Sequence, residues 1–572
     1  MDNRRLASFF WDIAKLLEFR EEDIFRIRSY QKAAQAIEDH PVPLEEAFRS
    51  KGADAFKGIP GIGKSISEKI EEALVDGEPA LLKEIKKKAP KGILELMEVN
   101  GIGPKLAKLL YKELKIGSVS MLKKAAAAGK LKGLPGIEEK KQENLLKAAR
   151  VFLSKKGKVY LGEALLLARS LLKELRSKTF LDEAVICGSL RRMKEEIGDI
   201  DILASSKDPE RAIDSFTKLP QVRRVLSKGP TKASIVLENL MSADLRVVPP
   251  NMAGSAIHYF TGSKQHNIRM RRLAIEKGVK LNEYGLFKNK KRIAGRTEEE
   301  LFAALGLEFI PPELREDSGE VEKAKERSLP RLVEQKDIRG DLHVHSNYSD
   351  GKRSIEQMAA GAMALGYEYM AVTDHSKSSV IAGGLSRKEL TAQMKEIDAI
   401  NKKLKGFRVL KGVEVDIHGN GSLDLDDSLL EELDIVVASI HSRFGMKKEE
   451  MTERLIKAME NRNVDIIGHP TGRLLDRREP YEINMEELIE TAAATGTALE
   501  LNASPNRLDL NASHCRMAVS KGVKIAINTD SHDTDQFSFM ELGIGTARRG
   551  WVEKGTVLNC LPLAGLIKAL SA

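Results

Sequence analysis

Nine side chains able to bind metal recur through the segment that follows Asp337: His343, His345, Asp350, His375, Glu414, His441, His469, Asp530 and His532. Six of the chain's eleven histidines are in this set. Neutral imidazole nitrogens and carboxylate oxygens make a donor set suited to zinc, manganese or iron(II), and no cysteine stands near enough to suggest a structural thiolate site. Nine donors are too many for one ion. Two or three ions sharing a bridging carboxylate is the natural arrangement, and such a cluster lowers the pKa of bound water while clamping the oxygens of a phosphodiester.

The elements that must position these donors are legible around them. Ala371-Val372-Thr373 precedes Asp374-His375, the apolar run 436–440 precedes His441, Ile466-Ile467-Gly468 precedes His469, and Ile525-Ala526-Ile527 precedes Asp530. Short apolar runs of this kind are buried strands, so the ligands sit at strand ends. They alternate with amphipathic helical stretches, for example 354–365 and 385–404. That alternation predicts a parallel β/α barrel-like fold whose strand C-termini converge on one face.

A second set of carboxylates lies earlier. Gly188-Ser189-Leu190-Arg191-Arg192 is followed by Gly198-Asp199-Ile200-Asp201, and Asp244 sits in the alternating run Ala243-Asp244-Leu245-Arg246-Val247. Asp199 and Asp201 share one face of a strand, and a strand bearing Asp244 is expected to pair beside it. Three such carboxylates hold two magnesium ions, one lowering the pKa of an attacking 3′ hydroxyl and one bridging a nucleoside triphosphate. Ser189 and Arg192 are expected to grip the departing phosphates.

Nearer the start, a small unit recurs: Gly58-Ile59-Pro60-Gly61-Ile62-Gly63, Val99-Asn100-Gly101-Ile102-Gly103, and Gly133-Leu134-Pro135-Gly136-Ile137-Glu138, each followed by a helical run. A Gly-x-Gly hairpin between helices points backbone amides outward to hold a phosphate without reading a base. The third copy has Glu138 in place of the second glycine and is expected mainly to pack. Charge agrees with this placement. The chain carries +9 overall, but 29 basic against 34 acidic side chains from Ile338 onward, a net of −5, leave +14 on the first 337 residues. That asymmetry predicts a polyanion bound by the front of the chain.

At 572 residues, with 42% hydrophobic and 31% charged content, the chain is expected to be a soluble protein of three or more domains. No apolar run approaches a membrane span, and Leu6, Phe9, Phe10, Ile13, Leu16 and Leu17 have the spacing of an amphipathic helix broken by Asp12, unlike a signal peptide. Cys187, Cys515 and Cys560 are few, odd in number and far apart, which predicts a reducing cytoplasm.

These motifs resemble known families. Asp341-Leu342-His343-Val344-His345, Thr373-Asp374-His375 and Asp530-Ser531-His532 are similar to the PHP (polymerase and histidinol phosphatase) family, a distorted barrel binding three metals. The resemblance implies one ion on His343, His345, Glu414 and Asp530, a second on Asp350, His375 and His469, and a third on Glu414, His441 and His532. The glycine hairpins resemble helix-hairpin-helix motifs, with Gly61, Gly63, Gly101 and Gly103 as the implied DNA-binding positions. The Asp199, Asp201 and Asp244 segment resembles the nucleotidyltransferase superfamily, and the run Tyr259-Phe260-Thr261-Gly262-Ser263 to Asn267 and Arg271 narrows this to the DNA polymerase X family. In that family Tyr259 and Phe260 would discriminate against ribose, Gly262 and Ser263 would face the nucleotide, Asn267 would contact the nascent base pair and Arg271 the template. Lys69 aligns with a Schiff-base lysine of eukaryotic relatives and Tyr30 with the same pocket. Arg26 and Ser65 replace supporting lysines, which favours 5′-phosphate binding over lyase chemistry.

The implied organisation is multidomain. A helical DNA-end and 5′-phosphate-binding region occupies 1–85, a second helix-hairpin-helix region 86–155, an α+β nucleotidyltransferase palm 156–250, a thumb-like nucleotide-selecting subdomain 251–315, a linker 316–337 and an α/β PHP barrel 338–572. The implied function is short-gap filling in DNA repair, with separate 3′-to-5′ exonuclease and abasic-site endonuclease activities. Magnesium or manganese would serve the polymerase site, and two to three zinc, manganese or iron ions the PHP site. Gapped or nicked duplex DNA and deoxynucleoside triphosphates are the implied partners of a monomeric, cytoplasmic enzyme. A nucleotidyltransferase fused to a small-molecule phosphatase is the competing expectation, against which the hairpins and the basic front argue.

Overall fold

The structure, a computed structural model, describes all residues except 2, 39, 41–43, 60, 100, 156–158, 178–180, 476 and 571–572. Pro60 and Asn100, each part of a hairpin motif, therefore lie outside the described residues. The chain forms two compact units, 1–156 and 157–572.

The first unit is helical. Leu6, Phe10, Ile13 and Leu17 stand on one face of the helix Asn3–Phe19 and are buried against Ile27, Ala34 and Ile37 of the helix Ile24–Glu38. The three glycine hairpins share one turn: Ile62 N donates to Ile59 O (3.1 Å), Ile102 N to Val99 O (3.0 Å) and Ile137 N to Leu134 O (3.0 Å). Gly61, Gly101 and Gly136 take φ of +89°, +85° and +73°, a region that glycine enters without a Cβ clash. A helix follows each turn at once, starting at Lys64, Pro104 and Glu139. The third hairpin keeps this geometry with Glu138 in the second glycine's place.

The second unit begins with a five-stranded sheet in the spatial order Glu183–Ile186, Asp199–Ser205, Ser242–Val248, Lys232–Leu237 and Val222–Lys228. Asp199–Ser205 and Ser242–Val248 run parallel, and the other neighbours are antiparallel. The helices Leu161–Arg176 and Pro209–Thr217 bury their apolar stripes against it. Next come the helices Ala253–Thr261 and Lys264–Glu276, a three-stranded sheet within 280–294 and the helix Glu298–Ala304, packed on Phe302, Leu286 and Ile310.

The segment 316–337, expected as a linker, is packed. It carries the helix Glu320–Glu326, whose Val321 and Ala324 join the thumb core, and the fully buried Glu320 accepts from Asp317 N and Ser318 N and pairs with His266 Nδ1 at 2.7 Å. Its buried apolar residues, Val321, Ala324, Leu332 and Val333, are few and interrupted by charged residues, so apolar periodicity did not disclose them.

The last part is the expected barrel. Seven parallel strands run in sequence order: Gly340–Val344, Tyr369–Val372, Arg408–Asp416, Ile435–Ser439, Ile466–Ile467, Ala498–Asn502 and Ile525–Asn528. The ring nearly closes, because His345 N donates to Ser531 O at 2.8 Å and Leu342 N to Asn528 Oδ1 at 3.2 Å, joining the first strand to the seventh. Leu508 and Leu542 of this part contribute to the core of the five-stranded sheet. Among the described residues no helix is long and apolar enough to cross a membrane.

Candidate active sites

Asp199 and Asp201 sit at the start of a strand whose neighbour carries Asp244, and Asp201 is the cross-strand partner of Asp244. Lys232 Nζ, on the next strand, reaches Asp244 Oδ2 at 2.8 Å. Burial and then the neighbouring carboxylates raise both aspartates of the first strand, with Asp201 pushed up to about 6 by desolvation, Asp199 and Asp244. Three acids that repel one another on neighbouring interior strands match the demand for divalent cations there. Gly188 backs this trio. A Cβ at Gly188 would stand 2.1 Å from Asp201 Oδ2, and φ is +63°. Glycine is therefore needed for the Gly188-Ser189 turn to approach the acid.

Arg192 is placed differently from the phosphate-gripping expectation. Its buried guanidinium donates to Glu316 Oε1 (Nε, 3.0 Å) and to the Thr261 carbonyl. It ties the palm turn to the thumb. Beside it, Arg191 donates to Glu298 Oε2 at 2.6 Å, and Glu298 Oε1 accepts from the fully buried Arg315 at 2.6 Å.

In the thumb, the rings of Tyr259 and Phe260 meet edge to face with centroids 5.1 Å apart, and Arg246 stacks over Phe260 at 4.9 Å. Asn267 Nδ2 donates to Tyr259 O at 2.8 Å, and Arg271 Nε to Asn267 O at 3.3 Å. Tyr259, Asn267, Arg271 and Asn282 line one small cavity. Gly262, at φ +67°, ends the first helix and Ser263 caps the second by accepting from His266 N at 3.3 Å. In the first unit Lys69 Nζ donates to Ser65 O and Ser65 Oγ, both at 3.0 Å. Tyr30 is a buried residue whose ring lies 6.4 Å from Phe10, and burial raises its hydroxyl against the pull of Arg26.

The barrel brings all nine expected ligands to one mouth. Glu414 is central: His375 Nδ1 lies 2.8 Å from Oε2, His343 Nε2 3.5 Å from Oε2, His469 Nε2 3.0 Å and His441 Nε2 3.3 Å from Oε1. Three sets have donor atoms within 4.8 Å of one another: His345, Asp350, His375 and His532; His343, His345 and Asp530; and His375, Glu414 and His441. This corrects the implied pairing. His532 Nε2 is 3.2 Å from Asp350 Oδ1, and it does not group with His441; His469 joins Glu414, and it does not group with Asp350. Closure is the reason, since the seventh strand lies beside the first and returns His532 to the Asp350 loop.

The donor chemistry fits metal ions. His343 Nε2 and both ring nitrogens of His345 are buried without a hydrogen-bond partner among the described residues. Against the effect of burial, Glu414 and Asp416 push His441 up to about 10, while burial and then Arg507 pull His469 down to about 4. Burial would raise Glu414, but His441, His375 and His343 hold it well below the usual range. The carboxylates thus take whatever positive charge the imidazoles can offer.

Four residues outside the expected set complete the site. Glu500, fully buried, accepts from His343 Nδ1 (2.8 Å) and His469 N (2.7 Å), and Asp416 lies 2.5 Å from His441 Nδ1. Both fix which imidazole nitrogen faces the pocket. Asp374 binds the Ser346, Ser349 and Gln393 side chains and so shapes the Asp350 loop. Arg507 brings a cation into a cavity of about 550 Å³ and stands 3.5 Å from Asp530. A carboxylate inside an otherwise apolar strand, as in Leu499-Glu500-Leu501, was the signal available for Glu500.

Hairpin unit, thumb and barrel together define the class: a polymerase-like body joined to a metal-binding phosphoesterase barrel. Family matches agree, with a helix-hairpin-helix domain over 1–79, a SAM-like helix-hairpin-helix tandem over 93–150, a DNA polymerase beta thumb over 256–316 and a PHP domain over 341–504. The "DNA polymerase/3'-5' exonuclease PolX" of Bacillus subtilis (strain 168) is 40% identical over 567 residues, covering 98% of each chain. A probable phosphatase of Syntrophotalea carbinolica is 34% identical over 34% of this chain and 79% of its own, and one of Thermoanaerobacter sp. (strain X514) 30% identical over 38% and 89%. The chain belongs to the DNA polymerase X family, in its form with a C-terminal PHP domain.

Proposed function

We propose that this chain is a DNA-directed DNA polymerase that fills short gaps during repair, with a separate 3′-to-5′ exonuclease and abasic-site endonuclease in the barrel. The observation that carries the reading is the presence, in a chain 40% identical over 98% of its length to a polymerase–exonuclease, of two separate clusters of candidate metal donors, Asp199, Asp201 and Asp244 on paired strands and the His and carboxylate groups of the barrel. The regions 1–85, 86–155, 156–250, 251–315 and 338–572 would then serve as 5′-end grip, duplex grip, palm, thumb and phosphoesterase, with 316–337 fastening thumb to barrel. It would act as a cytoplasmic monomer on gapped or nicked duplex.

Asp199, Asp201 and Asp244 would hold magnesium or manganese, which when bound acidifies the primer 3′ hydroxyl and neutralises the triphosphate of the incoming deoxynucleotide. Lys232 keeps Asp244 oriented, and the Gly188-Ser189 turn faces the phosphates with its backbone. Arg192 supports that turn from behind. Tyr259 and Phe260 exclude a 2′ hydroxyl by volume, while Asn267 and Arg271 face the base pair and template. Gly61, Gly63, Gly101 and Gly103 expose helix N-terminal amides to the DNA backbone.

In the barrel, the nine ligands would hold two to three ions, zinc, manganese or iron, which when bound acidify water and clamp phosphate oxygens. Glu500 and Asp416 hold His343 and His441 in the tautomer that presents Nε2 inward. Arg507 is placed to neutralise a phosphate entering the cavity.

The test uses two double variants on gapped DNA. Asp199→Ala with Asp201→Ala should abolish primer extension and spare 3′ resection, and His343→Ala with His345→Ala should do the reverse. Loss of both activities in either variant would contradict two independent centres.

A further inference from the structure

The segment Arg192 to Glu195 joins the Gly188-Ser189 turn to the strand bearing Asp199 and Asp201, and the barrel grips it from outside. Arg549 ends the barrel helix Met540–Arg549 and donates through Nη1 to the Arg192 carbonyl at 2.7 Å. The same nitrogen reaches Glu316 Oε1 at 3.1 Å, the oxygen that also receives Arg192 Nε. Met193 lies against Gly545 of that helix, where an added Cβ would be 2.3 Å from Met193 Cε. Arg473 then clamps Glu195 with two bonds of 2.7 and 3.2 Å, and is itself held by the Arg507 carbonyl at 2.9 Å.

The grip is passed inward by the backbone. Arg192 N donates to Gly188 O (3.4 Å), Met193 N to Leu190 O (3.0 Å) and Lys194 N to Ser189 O (3.1 Å). Met193 has φ of +54°, a region side-chain-bearing residues seldom enter and keep only where neighbours over-determine it. Displacing the segment therefore displaces the backbone of the Gly188-Ser189 turn, the part assigned to the nucleotide's phosphates.

We infer that Arg549 and Arg473 are positioning residues of the polymerase site: the barrel, through the Arg192–Glu195 segment, holds the nucleotide-facing turn at its working height. Nucleotide affinity is thereby built partly from a domain whose own chemistry lies elsewhere. This inference rests on the polymerase reading above.

The experiment is single-nucleotide incorporation into a one-nucleotide gap by the full chain, with Arg549→Met, Arg549→Lys and Glu195→Gln. Arg549→Met should raise the deoxynucleotide KM on the order of tenfold with kcat within about twofold, the pattern of lost uniform binding. Arg549→Lys should recover most of this, because its amine still reaches the Arg192 carbonyl. Glu195→Gln should give a several-fold rise. Resection of a single-stranded oligonucleotide and the thermal unfolding midpoint should stay at wild-type values. An unchanged KM in both Arg549→Met and Glu195→Gln would overturn the inference. So would a joint fall of incorporation, resection and unfolding midpoint, which is the mark of a contact that only holds the fold. Failure of the wild-type chain itself to extend a gapped primer would instead sink the polymerase reading, and is seen before any variant is made.

Discussion

Glu298→Gln tests the buried ionic hinge between palm and thumb. Glu298 is shared by Arg315 Nη1 and Arg191 Nη2, each at 2.6 Å, and Arg315 is wholly enclosed between Phe302 and Phe309, 5.1 and 5.4 Å from their ring centroids. Burial alone would raise the Glu298 carboxyl, but Arg315 and Arg191 hold it at about 2 against its ordinary 4.5. That difference corresponds to about 3 kcal/mol. Removing one partner of a buried pair costs a similar ~3–5 kcal/mol, because the other charge is left enclosed and uncompensated. The substitution should therefore lower the opening free energy of the thumb by about 3 kcal/mol at neutral pH. Since the folded-state pKa lies below the unfolded one, the stabilisation is fully present above 4.5 and is lost only as pH falls from 4.5 towards about 2. The gap between wild type and variant should thus be flat from about pH 8 to pH 5. Native-state hydrogen exchange over 253–327 is the assay, because a multidomain chain gives no single unfolding free energy. Unchanged exchange in the variant would refute the argument. A gap that varied between about pH 8 and pH 6 would also refute it, and would point to the neighbouring His258 or His266.

Gly188→Ala should lower kcat for nucleotide incorporation by about a hundredfold, since its Cβ would stand 2.1 Å from Asp201 Oδ2; single-turnover kinetics at saturating nucleotide read this, and a wild-type rate would mean the turn is free to retreat. Glu500→Gln should weaken metal retention in the barrel about 10- to 100-fold, by loosening the imidazole of His343, as measured by chelator competition and elemental analysis; unchanged retention would show that Glu500 serves only the core. Lys69→Ala should reduce affinity for a gap bearing a 5′-phosphate about fivefold in a titration at fixed salt. Borohydride should trap no adduct with wild type, and an adduct that disappears in Lys69→Ala would establish lyase chemistry in place of simple phosphate binding.

Most of the barrel's candidate ligands were legible in the chain because they follow short apolar runs, as His375, His441, His469 and Asp530 do, and burial of such runs leaves little freedom for what comes next. Their partition among ions was not, because sequence order does not say that His532 returns beside Asp350 when the seventh strand meets the first. The pairing of Asp201 with Asp244 was legible for a similar local reason: alternation fixed the face of each strand, and adjacency did the rest. Arg192 shows where such reasoning ends. An arginine after Gly-Ser suits a phosphate as well as a carboxylate, and the carboxylate that takes it, Glu316, lies 124 residues away. Residues 316–337 read as a spacer because their buried apolar side chains, Val321, Ala324, Leu332 and Val333, are few and scattered among charged residues, and the buried Glu320 paired with His266 carries no apolar periodicity. The hold of the barrel on the palm is harder still to foresee. Arg549 acts on a main-chain carbonyl, which every residue possesses, so no residue type at position 192 could have announced it.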